Sequence, residues 1–159
     1  MKTLAHILTA ALFSVMASGA ARADQTFSIL QEPPALTEID IGAVGRSHGD
    51  ILAYRAGFTT KDGAKGVMLG MVTVVHMSGA PGKEFLERLG NIVLDFGGIN
   101  TIVIAGKAVY GGTAHEMHSD DPQVRAIVGG TGSFIGARGQ MTTIRKPAGH
   151  YEHELHLVN

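Results

Sequence analysis

The chain has 159 residues, 45% hydrophobic and 17% charged, with a formal net charge of −1. That size and apolar content suit one domain with a real core and exclude a largely disordered chain, and the lack of a basic surplus excludes a nucleic-acid partner. Cysteine is absent, which excludes disulfides, thiolate metal sites and a cysteine nucleophile.

Lys2 is followed by an apolar stretch from Leu4 to Met16, then by Ala21-Arg22-Ala23 and Asp24. A short positive start, an apolar run and a small-x-small site are the layout of a cleavable signal peptide. The run falls short of the roughly 20 residues that a bilayer requires. The expectation is export, periplasmic or secreted, with cleavage after Ala23. Residues 1–23 are then the signal and 24–159 a single domain. No later segment is long and apolar enough to span a membrane as a helix.

Thr26 to Leu30 reads as a first strand or extended arm, stopped by Pro33-Pro34. Leu36 to Ile41 follows, then a glycine-containing loop over Gly42 to Gly49. Asp50 to Phe58 reads as a strand and Thr60-Lys61-Asp62-Gly63 as its turn. Gly66 to Met77 is the longest β-like run and is apolar on both faces: Leu69, Met71 and Val75 on one, Met68, Val72 and Val74 on the other. A strand apolar on both faces is covered on both, which predicts an oligomer. Glu84 to Leu89 is expected to begin as a helical turn. Asn91 to Phe96 and Ile99 to Ala105 read as strands, and Val109 to Pro122 as a polar loop or irregular edge. Gln123 to Val128, Phe134 to Thr143 and Tyr151 to Val158 complete the set, with Gly129-Gly130-Thr131-Gly132 and Pro147-Ala148-Gly149 as turns. About eight short strands and no long helix predict an all-β fold, and closing the sheet into a barrel removes its edges.

Several of these segments together resemble allene oxide cyclases: Leu36-Thr37-Glu38-Ile39-Asp40, Gly49-Asp50-Ile51-Leu52-Ala53-Tyr54, Gly70 within the long strand, Ile104-Ala105-Gly106, and Val128-Gly129-Gly130-Thr131-Gly132 with Phe134 after it. The stretch ending Ala137-Arg138-Gly139 is equally similar to dirigent proteins. The resemblance runs from about Leu36 to the end. It implies a small eight-stranded antiparallel β-barrel with an apolar cavity, assembled as a homotrimer. It does not carry the chemistry with it. Ala35, Thr37, Ala56 and Val72 stand where the plant cyclases place a Glu, two Asn and a Cys. Arg55-Ala56-Gly57 and Ser133 stand where dirigent proteins place acids.

Strand periodicity and the resemblance together give a facing. Asp50, Leu52, Tyr54 and Ala56 share the face that lines the cavity, and Met68, Gly70, Val72, Val74 and His76 point inward on the next strand. Tyr110 lies where the cyclases also have a Tyr. The expected ligand-binding set is Asp50, Tyr54, Met68, Val72, His76 and Tyr110, around a small hydrophobic molecule.

No metal site is expected. His115-Glu116-Met117-His118 lacks the spacing for two ligands on one helical face. On a strand, His150 and His156 fall on one side and His153 on the other. There is no nucleophile triad, phosphate loop or dinucleotide fingerprint, so no cofactor is implied and no catalytic residue is named. Two functions fit: a barrel that binds a hydrophobic ligand and guides its cyclisation or stereochemistry, and a structural trimeric barrel without catalysis.

Overall fold

The computed structural model describes residues 24–79, 85–111 and 115–158. The expected signal peptide lies outside them. Nine strands follow in order: β1 (Gln25–Gln31), β2 (Ala35–Ile39), β3 (Ile51–Thr60), β4 (Lys65–Ser78), β5 (Phe85–Asp95), β6 (Thr101–Gly111), β7 (Gln123–Thr131), β8 (Arg138–Arg145) and β9 (Tyr151–Val158). A short 3-10 turn at Gly132–Phe134 precedes β8.

Every strand pairing is antiparallel, and the sheet runs β1-β9-β8-β7-β6-β5-β4-β3-β2 with a further pairing of β1 to β3. That last pairing closes eight strands into a barrel and leaves β2 as an extra strand on β3. Pro33-Pro34 separates β1 from β2, since neither proline can donate to a ladder. The closing seam is narrow: Ile29, Leu30 and Gln31 pair with Thr60, Thr59 and Phe58. By contrast β5 and β6 are paired from Phe85↔Gly111 to Asp95↔Thr101.

The expected helical turn at Glu84 to Leu89 is corrected, because Phe85 onward is strand. Leu86 and Arg88 face inward there while Leu89 faces out, so an inward arginine disguises the strand alternation. The edge expected from Val109 also begins later, since β6 runs on to Gly111 with Tyr110 buried.

Alternate residues fill the interior in three layers. At one end Ile29, Phe58, Leu94, Ile102 and Leu157 form an apolar plug. Phe27, Phe58 and Phe134 pack around Phe96, with ring centroids 6.2, 5.1 and 4.9 Å away, and seal that end. At the other end Val74, Leu86, Ala108, Tyr110, Met117 and Tyr151 form a second cluster. Between the two lies a polar layer. On the outside, Leu69 and Met71 of β4 are 45% exposed, Val75 44% and Leu89 of β5 54%. The two-sided apolar strand thus buries one face and leaves the other bare.

Candidate functional site

The middle layer surrounds a cavity of about 40 Å³, room for about three waters. Its walls include Gln31, Tyr54, Met68, Tyr110, Glu116, Met117, Arg125, Thr143, Tyr151 and His153. Leu36, Leu52 and Ile92 share these walls, and more of the lining is apolar than polar. A cavity that binds a drug-sized molecule is several-fold larger.

Met117 is the stopper. It is 4% exposed and packs among the apolar residues at the mouth. Its neighbours tie it down. Glu116 accepts hydrogen bonds from Tyr151 Oη at 2.9 Å and from Arg145 at 3.1 Å. Arg145 also donates to Ser119 Oγ at 3.0 Å, and Ser119 bridges to Arg145 through its backbone. Arg88, its guanidinium 4.6 Å from the centre of the Tyr110 ring, reaches the His115 carbonyl at 3.4 Å. Burial pulls the Arg88 pKa down, while burial and the Glu116 carboxylate push the Tyr151 phenol up.

A buried chain of hydrogen bonds crosses the layer. His153 Nε2 lies 2.9 Å from Gln31 Oε1, and Nδ1 lies 2.9 Å from Thr143 Oγ1. Gln31 turns its amide NH2 to the Glu32 carbonyl, so its oxygen faces His153 and must accept. Nε2 then carries the proton and Nδ1 accepts from Thr143. Burial, helped by the Arg125 charge, pushes the imidazole pKa down to about 3, and the ring stays neutral.

Of the residues expected to bind ligand, Tyr54, Met68 and Tyr110 line the cavity. Val72 is fully buried in the wall but does not border the space. Asp50 is buried and spent elsewhere. Its carboxylate accepts from Ile41 N at 3.0 Å, Ser47 N at 2.6 Å and Ser47 Oγ at 3.0 Å, fixing the loop before β3. The two backbone donors hold its pKa below the usual carboxylate value. His76 is a correction. The register of β4 on β5 shifts between Val74 and His76, so the ring turns outward, half exposed, to face Glu87 at 3.7 Å. A bulge exchanges the two faces of every later residue.

Arg125, His153, Glu116 and Tyr151 were missed. The alternation in Tyr151 to Val158 separates His153 from His150 and His156, as expected, and His153 is the inward one. Arg125 hid behind an inverted pattern: Val124 and Val128 are exposed while Arg125 is buried.

No protein-family model and no curated protein matches this chain. Solved structures match it in fold. A pyocyanin demethylase superposes with a TM-score of 0.64 at 17% identity, over 84% of this chain and 100% of that one. The Diels–Alderase AbmU from Streptomyces koyangensis gives 0.57 at 21% identity, over 89% and 69%. The pterocarpan synthase dirigent protein GePTS1 gives 0.55 at 17%, over 96% and 98%. The chain has the dirigent and cyclase barrel fold. At these identities the likeness speaks for architecture, and the chemistry must be argued from the side chains.

Proposed function

We propose that this barrel is exported, binds a small hydrophobic molecule in its interior, and guides that molecule's cyclisation or stereochemistry. The observation that carries the reading is the middle layer, where Tyr54, Tyr110 and Arg125 line one cavity between two apolar clusters. A few fixed polar groups within apolar walls are the usual form of a small-molecule site. The fold is shared with two proteins whose names state ring-forming chemistry, a Diels–Alderase and a pterocarpan synthase. Holding a flexible substrate in a reactive fold away from water supplies rate without many acid–base groups. In the closed form the ligand's bulk needs the volume that Met117 fills, so entry requires the segment from His115 to Ser119 to swing out.

The test is to supply coniferyl alcohol with a one-electron oxidant, an epoxy fatty acid, and a linear polyene bearing a dienophile, and to resolve the products by chiral chromatography. A changed product ratio with any of them supports the reading. Unchanged ratios, with no ligand carried by the native protein in mass spectrometry, defeat it. N-terminal sequencing of the exported protein should begin at Asp24.

A structural homotrimer is the second reading. It is favoured by an outer row in which exposed Leu69 and half-buried Val93 and Val103 lie side by side across β4, β5 and β6, flanked by exposed Met71 and Leu89. The small volume of the cavity favours it too.

A further inference from the structure

We propose that Arg125, with the Tyr54 and Tyr110 hydroxyls, forms an oxyanion pocket inside the barrel that fixes the carboxylate of a small hydrophobic acid. This rests on the reading that the interior is the ligand site, and it names the class of ligand.

Burying an arginine while leaving its valine neighbours in water runs against the hydrophobic effect. β7 does so: Arg125 is 4% exposed, Val124 53% and Val128 57%. Its stem lies beside Gly106 on β6, where a Cβ would make ordinary contact with the Cβ and Cγ of Arg125 at 3.4 Å. Buried cations are normally matched by a carboxylate. Among the described residues no carboxylate lies within ion-pair distance of Arg125, and its buried Nε has no hydrogen-bond partner.

The acceptors around the cavity are already engaged. Gln31 Oε1 holds His153, and both Glu116 oxygens hold Tyr151 and Arg145. His153 has both ring nitrogens satisfied. The groups left over can all donate: the guanidinium and the hydroxyls of Tyr54 and Tyr110, which line the same cavity. Burial pushes the Tyr54 phenol well above its usual range, so it keeps its proton. A surplus of donors around one positive charge selects an anionic acceptor. A planar carboxylate suits the fork of an arginine. The space of about 40 Å³ takes the carboxylate, and the hydrocarbon part extends toward the mouth.

The test uses full-length mature protein and two matched pairs of probes, octanoate with 1-octanol and 3-phenylpropionate with 3-phenylpropan-1-ol, titrated by calorimetry at pH 7.5. Each acid is expected to bind at least ten-fold more tightly than its alcohol. Arg125→Met should abolish that preference, and Arg125→Lys should keep part of it. Tyr54→Phe and Tyr110→Phe preserve volume and should each shrink it several-fold. The unliganded Arg125→Met protein should melt at a higher temperature than wild type, because an unmatched buried charge is gone. A lower melting temperature with the acid preference retained would assign Arg125 to the scaffold and overturn the proposal. Acids and alcohols binding equally would overturn it while leaving the interior as a ligand site. No binding of any probe, with unchanged product ratios in the chiral assays, would remove both.

Discussion

The ring of Tyr54 on β3 lies across the backbone of its cross-strand partner Gly70 on β4, so closely that a Cβ at position 70 would overlap the phenol. The missing side chain is what lets the tyrosine fold down along the wall and carry its hydroxyl to the cavity. Gly70→Ala should expel the ring. The expected cost is about 1–3 kcal/mol, as for other overpacking changes, with loss of most probe binding. Urea denaturation and calorimetry on the same variant check both. An alanine variant with full stability and affinity would show that the ring has another resting place.

His153 makes the fold sensitive to acid. Its pKa in the folded protein, about 3, lies below the ordinary 6.5, so the unfolded chain takes up the proton first. Stability is level above pH 6.5 and falls as the pH drops from there toward 3, by up to about 1.4 kcal/mol per pH unit. Between pH 7.5 and 5 this residue should remove about 2 kcal/mol. His153→Gln should lose that part of the slope, read as the difference between the two urea titration series. Parallel curves would mean that His153 does not set the acid response.

Met117→Ala trades stability for space. Removing a buried methionine side chain costs roughly 2–5 kcal/mol, and the low end is expected here because the stopper lies at the mouth. Affinity for 3-phenylpropionate should rise, since the ligand no longer competes with the side chain. A destabilised variant with unchanged affinity would place the ligand's bulk elsewhere.

Leu69→Asp and Met71→Asp place charge in the bare outer row. Sedimentation should show a homotrimer for wild type and dissociated protein for either variant, with a lower melting temperature. A wild-type monomer, or variants that are well-folded monomers, would refute assembly through this face.

Much of the barrel was legible because alternation is a strong signal where one face is wet. Tyr151 to Val158 alternates buried and exposed without a break, and its strand bounds were read correctly. The failures share a cause. Arg88 and Arg125 point inward from β5 and β7, so binary patterning gave a helical turn for one and hid the site in the other. The bulge after Val74 turned His76 out, and no local composition marks it. Tyr54 follows from strand periodicity and the resemblance together, and Tyr110 from the resemblance alone. In the sequence Glu116 stands out only as part of a histidine-flanked stretch that lacks metal-ligand spacing. Its actual partners, Arg145 and Tyr151, lie about thirty residues further on, beyond the reach of any local pattern.

The narrow seam between β1 and β3 gives the barrel a weak side. Three residues pair there, Ile29, Leu30 and Gln31, and Gln31 is also the residue that holds His153. A ring of strands opens where its ladder is shortest, and amide exchange should be fastest at that closure. Parting the seam would separate β1 from β3 while β1 stays paired to β9 from Gln25 to Gln31, so the barrel has a side door that can swing open with the Gln31–His153 bond still made.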